Sequence, residues 1–128
     1  MPHLSLSYSS NLDAAVDLTA VCTALNHVLR DSGLFEIGAI RVRAQPCPHY
    51  AIADLLPENS FVDMILRIGA GRSAEEKQSV GAALMRAAEA LFSGQLARPH
   101  FALSLEVQEI SAPFSWKTNA IHPRLRTK

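Results

Sequence analysis

Pro2 stands directly behind Met1 at the head of the stretch Met1-Pro2-His3-Leu4-Ser5-Leu6-Ser7-Tyr8. If Met1 is trimmed, which the small ring at position 2 permits, the proline nitrogen changes from a non-basic amide into a free secondary amine. An ordinary α-amino group titrates about one unit above neutrality, and burial or nearby cations pull that value toward the working pH. Such an amine can take up and return a proton. A plainer reading also fits the residue, because a proline can open a strand at a position where no backbone donor is needed.

Arginines are the second candidate group. Arg41 and Arg43 alternate with Ile40, Val42 and Ala44, so the two guanidinium groups share one strand face, ordinarily an edge or interface device. Arg72 lies in Gly69-Ala70-Gly71-Arg72-Ser73-Ala74, between a strand pattern and a helix pattern. This stretch fits a loose dinucleotide-binding pattern, but no acidic residue closes a following strand at the expected distance. Backbone donors at a helix start favour an anion, and Arg72 could grip a carboxylate there in two-pronged fashion. A glycine-stabilised turn with a solvated arginine is the alternative. His3, His27, His49, His100 and His122 show no paired ligand spacing, so no metal site is predicted. Cys47 and His49 lack the third member and elbow turn of a thiol enzyme.

Composition narrows the classes of function. The 128 residues suit one domain that needs no disulfide or metal to hold it, and Cys22 and Cys47 read as reduced thiols, one in a buried helix position and one in a loop. Formal charge is zero, with Lys and Arg scattered from Arg30 to Lys128, which leaves no basic face for nucleic acid. No leader pattern or membrane-length apolar run is visible, and a soluble, cytoplasmic protein is expected.

Two similar units must position these groups. In the first, Leu4, Leu6 and Tyr8 alternate with polar residues, a helix follows with Asp17 as cap and Gly33 as stop, and a second strand runs from Gly38 to Pro46-Cys47-Pro48. His49 to Asp54 reads as a further short strand. In the second unit, Val62, Met64, Leu66 and Ile68 alternate along a strand, and Ser73 with Glu76 forms a capping box. The second helix places Val80, Leu84, Ala87, Ala88, Leu91 and Gln95 on one side and ends near Gly94 to Arg98. Leu103, Leu105 and Val107 form the last strand. Asp17 and Ser73 are 56 positions apart and Ile40 and Leu103 are 63 apart, so the chain reads as one internally duplicated domain, about 1–55 and about 60–128 with a tail. Right-handed crossovers then give an α+β fold: two β-α-β units, a four-stranded core sheet, and both helices on one face. The bare opposite face implies an oligomer. Phe114 and Trp116 in the tail could wall a neighbouring pocket or clamp the tail, and the clamp is the preferred reading.

Several stretches together resemble the 5-carboxymethyl-2-hydroxymuconate delta-isomerase family: Met1-Pro2-His3, Ser32-Gly33-Leu34-Phe35, Gly38 through Arg43, His49 through Asp54, and Phe61-Val62 through Ser73. Leu103 through Ile110, Trp116-Lys117 and Ile121-His122-Pro123 look like that family's closing strand and tail. The resemblance spans nearly the whole chain and implies a tautomerase-like homotrimer acting in aromatic degradation, in the homoprotocatechuate pathway, without metal or organic cofactor. It further implies that Pro2 moves a proton from the 2-hydroxyl of a dienol to a carbon further along the conjugated chain. Arg41 and Arg72 match the arginines that hold substrate carboxylates, and Arg43 matches a position of less defined role. A small polycarboxylate suits planar, permanently charged arginines better than lysines. Ser7 stands where members often carry glutamate, and Asp63 where histidine is usual. The alternative is a non-catalytic trimeric binding protein, since superfamily members related to macrophage migration inhibitory factor also bind proteins.

Overall fold

The computed structural model describes residues 1–126. Strand β1 (His3–Ser9) is followed by helix α1 (Leu18–Asp31) and strand β2 (Arg41–Cys47). Strand β3 (Ser60–Gly69), helix α2 (Ala74–Leu91), the short helix α3 (Ser93–Leu96) and strand β4 (Phe101–Ile110) repeat the plan, and helix α4 (Ile121–Arg126) ends the tail. The sheet order is β2-β1-β3-β4, with β1 parallel to β2, β3 parallel to β4, and the central β1/β3 pair antiparallel. Two parallel strand-helix-strand units therefore meet back to back along β1 and β3.

Both helices start where their side chains supply an acceptor for orphan amide groups. The Asp17 carboxylate accepts from the Ala20 amide, and Ser73 and Glu76 exchange bonds in a capping box at α2. Gly33 ends α1 in the left-handed region (φ 72°), which costs glycine little.

Period-2 alternation in the strands turns Leu4, Leu6, Val62, Met64, Leu66 and Ile68 toward the helices, where all are sealed from solvent. Val21, Leu25 and Leu29 of α1 and Val80, Leu84 and Ala88 of α2 close over them. Each such aliphatic side chain contributes about 1.5–3 kcal/mol by leaving water. Val42 and Leu103, on the edge strands, are only half-buried because the helices cover the centre of the sheet.

The opposite face stays bare in this chain. Cross-strand register sets Arg41, His3 and Arg67 in one row, Arg43, Ser5 and Ile65 in the next, and Gln45, Ser7 and Asp63 in a third.

Five expectations need correction. His49 to Asp54 is not a strand but part of the β2–β3 connection. Ala53 (φ 50°) and Leu55 (φ 69°) curl the backbone there, and Asn59 holds it through the Ile52 carbonyl (3.1 Å) and the Asp54 carboxylate (2.8 Å). β2 begins at Arg41 rather than Gly38, because Ile37–Ala39 form a 3-10 turn, and Cys47 closes the strand rather than lying in a loop. Phe92, not Leu91, continues the core stripe of Leu84 and Ala88 at four-residue spacing, and its ring lies 5.4 Å from that of Phe101. Phe114 and Trp116 do not clamp the tail: they are 77% and 86% exposed.

Candidate active site

Pro2 lies at the end of β1 nearest the β3–α2 turn. Its ring is sealed from solvent, and its carbonyl accepts from the Arg41 amide (3.1 Å), the first rung between the N-terminal segment and β2. Met1 and Pro2 together form one side of a cavity of about 600 Å³ whose other walls come from the α1–β2 connection, the β3–α2 turn and the C-terminal tail.

Arg72 reaches this cavity because Gly71 takes φ 108°, a value that favours glycine, and turns the chain sharply from β3 into α2. Its guanidinium donates to the Leu34 carbonyl (2.9 Å) and the Gly69 carbonyl (3.4 Å) and lies 4.7 Å from the centre of the Phe35 ring. A solvated side chain is thus replaced by one held on three sides. Two of the five guanidinium N–H groups bind carbonyls, so three remain for a ligand.

The other two arginines sit differently. Arg41 is half-buried and donates to the Ala39 carbonyl (3.0 Å), at the margin of the cavity rather than in its lining. Arg43 is exposed, on the bare sheet face, with a guanidinium nitrogen 3.4 Å from His3 Nδ1. Pro2 and Arg72 therefore share the cavity, Arg41 borders it, and Arg43 does not enter it.

Several lining residues escaped the sequence reading. Lys117 enters from the tail, and Glu36 fastens that tail by accepting two bonds from Arg126 (2.6 Å each), with His122 Nδ1 3.6 Å away. Asn119 donates to the Gly38 carbonyl (2.9 Å) while its own carbonyl oxygen caps the amides of Ile121 and His122. Residues 36 and 126 are ninety positions apart, so no local pattern announces the pair. Lys117 lies in a segment without periodicity, and its one signal was its place in the Trp116-Lys117 stretch.

Electrostatically, the cavity disfavours a positive charge at the chain's start. The Met1 amine is held below its ordinary value by burial first, then by Lys117, Arg72 and Arg41. His3, just outside, is lowered by burial and then by Arg67, Arg43, Arg41 and the amino terminus. A hollow of this kind can keep an amine neutral and attract carboxylates. Among the described residues, no group of three or more His, Cys, Asp and Glu is placed to hold a metal ion.

The family model for 5-carboxymethyl-2-hydroxymuconate isomerase matches residues 2–125. The 5-carboxymethyl-2-hydroxymuconate Delta-isomerase of Escherichia coli is 31% identical over 122 residues, covering 95% of this chain and 97% of that one. A crystal structure of a 5-carboxymethyl-2-hydroxymuconate isomerase from Deinococcus radiodurans R1 superposes with a TM-score of 0.91 at 39% identity, over 98% of this chain and 94% of the other. A fused 4-OT symmetric trimer shares the fold alone, with a TM-score of 0.67 at 16% identity over 91% of this chain and 93% of the other. Match, identity and superposition agree along almost the full sequence, and the chain belongs to the 5-carboxymethyl-2-hydroxymuconate isomerase family.

Proposed function

We propose that this chain, with Met1 removed, ketonises 5-carboxymethyl-2-hydroxymuconate or a related 2-hydroxydienoate by proton transfer through the Pro2 amine. The observation that carries the reading is the position of the amino terminus, in a hollow it shares with Arg72 and Lys117. With Met1 attached, the Pro2 nitrogen is an amide and has no basicity to offer. Removal moves the terminus one residue inward within the same hollow, so Lys117, Arg72 and Arg41, which lower the Met1 amine, lower the Pro2 amine too.

In the proposed cycle the neutral amine takes the proton of the 2-hydroxyl, the oxygen becomes a carbonyl, and the conjugated double bonds shift along the chain. The resulting ammonium returns that proton to a distal carbon. One O–H bond breaks, one C–H bond forms, and no electrons leave the substrate, so the cycle calls for no organic cofactor or metal. Arg72 and Arg41 bind substrate carboxylates and draw charge toward the carbonyl end, while Arg43 acts from outside the cavity.

A homotrimer of internally duplicated chains goes with this reading. The bare sheet face and the exposed Trp116 and Phe114 supply surface for self-association, and the fused 4-OT neighbour is a symmetric trimer. No described helix is long and apolar enough to cross a membrane.

Intact mass of the purified chain gives the first test, with loss of one methionine expected. Ultraviolet-monitored ketonisation by Pro2→Ala gives the second. Turnover equal to that of the parent chain rules out the proline mechanism, and no turnover by the parent chain leaves the non-catalytic binding trimer.

A further inference from the structure

Lys117 has no regular structure to hold it. From Ser115 to Thr118 the chain lies in neither helix nor strand, and among the described residues the backbone of this stretch makes no hydrogen bond. The Lys117 ammonium likewise has no carboxylate within ion-pair distance among the described residues. It nevertheless reaches the wall of the cavity that contains Met1, Pro2 and Arg72. A lysine on an unbonded stretch keeps much of its conformational freedom unless a neighbour restrains the chain. Asn119 is placed to do so. It is the one residue from Ser111 to Ala120 that is not exposed. Its side-chain amide donates to the Gly38 carbonyl (2.9 Å), and its carbonyl oxygen accepts from the amides of Ile121 (2.8 Å) and His122 (3.1 Å). Gly38 is buried in the Ile37–Ala39 turn, which leads through Ile40 into Arg41, and the Arg41 amide donates to the Pro2 carbonyl (3.1 Å). Pro2 and Lys117 are thus registered against one short turn, the first through Arg41 and the second through Asn119. The Glu36–Arg126 pair fastens the tail further along, but it is exposed, and exposed ion pairs restrain little.

We propose that Asn119 is a positioning residue for the proton transfer, holding Lys117 beside the amino terminus by tying the tail to the turn that feeds the strand partner of Pro2. The proposal rests on the reading in which Met1 is removed and Pro2 carries the proton. Of the charges that act on the amino terminus, Lys117 comes first, ahead of Arg72 and Arg41. Those two guanidinium groups are fixed by their own bonds to the Leu34, Gly69 and Ala39 carbonyls, whereas Lys117 has none, so its share of the field depends on where the tail backbone is held. The remaining charges around the terminus do not replace it. Glu36 is engaged by Arg126 with His122 beside it, and His3 and Arg67 lie toward the sheet. Released into solvent, the Lys117 ammonium is screened, the cationic form of the terminal amine is less disfavoured, and the amine becomes more basic.

A double-mutant cycle on the Met1-free protein tests this, read by NMR titration of the Pro2 ring carbons without substrate and by the pH profile of kcat/KM. The Pro2 amine should titrate at higher pH in Lys117→Met and, in the same direction, in Asn119→Ala. Adding Asn119→Ala to Lys117→Met should move it no further. On the acid limb Asn119→Ala should lower kcat/KM at least about twofold more than on the plateau. A residue that merely braces the tail would leave the titration of the amine where it is in the parent chain. That result, or an equal shift with and without Lys117, overturns the proposal. Lys117→Met alters only an exposed side chain, and an unmoved amine in that variant overturns the proposal whatever Asn119→Ala does to the tail. Pro2→Ala separates the two readings: retained ketonisation sinks the proline mechanism, while the amine titrations, which need no turnover, decide the placement of Lys117 by themselves.

Discussion

Replacing Arg72 by alanine perturbs three contacts and one field at once, and the effects separate by assay. The guanidinium's two carbonyl bonds and its position over Phe35 are lost. A hydrogen bond from a charged donor is worth about 1.5–3 kcal/mol when its partner stays dry, but the Leu34 carbonyl faces a cavity that water can enter, which favours the lower end. A stability loss of about 2 kcal/mol is expected, read as a shift of the denaturation midpoint at unchanged slope. Loss of a charge-assisted contact to a substrate carboxylate removes about 1.5–3 kcal/mol of transition-state binding, a fall in kcat/KM of about 10- to 150-fold.

The field effect has its own signature. Arg72 is one of the three cations that, after burial, hold the Met1 amine below its ordinary value, and on the proposed reading it acts in the same direction on the Pro2 amine that replaces it. Without it the amine becomes more basic, and only the neutral amine can accept the substrate's proton. The acid limb of the kcat/KM profile must therefore move to higher pH. The deficit is largest at low pH and shrinks as pH rises, down to the plateau set by the lost carboxylate contact. Arg72→Lys restores charge and should return the limb toward its original position, yet a lysine cannot span both carbonyls and a carboxylate in one plane. A variant within about twofold of the parent at every pH, with an unmoved acid limb, would refute both the contact and the field.

Gly38→Ala should loosen the tail, because an added Cβ would lie 2.8 Å from His122 Nδ1 and 3.3 Å from the His122 backbone nitrogen and Cα. Faster amide hydrogen exchange at Ile121 and His122 is expected, and unchanged protection would show that the contact yields without moving the tail. Tyr8 donates to Asp13 (2.7 Å), which first, together with burial and the Asp13 charge, raises its phenol to about 12. The neutral phenol's contribution to stability is complete below about pH 10, where an unfolded tyrosine ionises, and is lost as pH climbs to about 12; absorbance titration of Tyr8→Phe should lack the late step, and its persistence would reassign it. Leu84→Ala empties a sealed site on the sheet-facing side of α2 and should cost about 2–5 kcal/mol in denaturant unfolding. A cost below about 1 kcal/mol would mean that the core collapses around the gap.

Local pattern made the scaffold legible and left the site half-written. Alternation alone picks out Leu4, Leu6, Val62, Met64, Leu66 and Ile68, and each is sealed in the core, because a strand face buried under helices tolerates no slip of register. Asp17, Gly33 and the Ser73–Glu76 box likewise act within one turn of where they stand. His49 to Asp54 misled because its composition suits an extended chain, while Asn59, outside the segment, curls it through the Ile52 carbonyl and the Asp54 carboxylate. Leu91 and Phe92 are adjacent, and the four-residue spacing from Leu84 through Ala88 to Phe92 chose between them. Arg41 and Arg43 looked equivalent because they share a strand face. Two residues of strand nevertheless carry Arg43 about 7 Å further along the sheet, away from the amino terminus. Lys117 and the Glu36–Arg126 pair depend on the tail folding back over the α1–β2 connection, which no periodicity encodes.

Asp63 and Ser7, which face each other across β1 and β3, bear on the same electrostatics. An acid lining the cavity would repel carboxylates and make the amine more basic, undoing what Lys117, Arg72 and Arg41 supply. Register places Asp63 opposite Ser7, five strand positions beyond Pro2, or about 16 Å along β1. Its carboxylate accepts from the Ser104 hydroxyl (2.7 Å) and is exposed. At physiological ionic strength an exposed charge is screened over about 8 Å, roughly half that separation. Within one chain the bare face is therefore graded, with Arg41, His3, Arg67 and Gln108 in the row nearest the amino terminus, Arg43 and Glu106 in the next, and Asp63 in the third. The row that meets the amino terminus carries no carboxylate, and Asp63 is too far along the sheet to undo the lowering of the Met1 amine by burial, Lys117, Arg72 and Arg41.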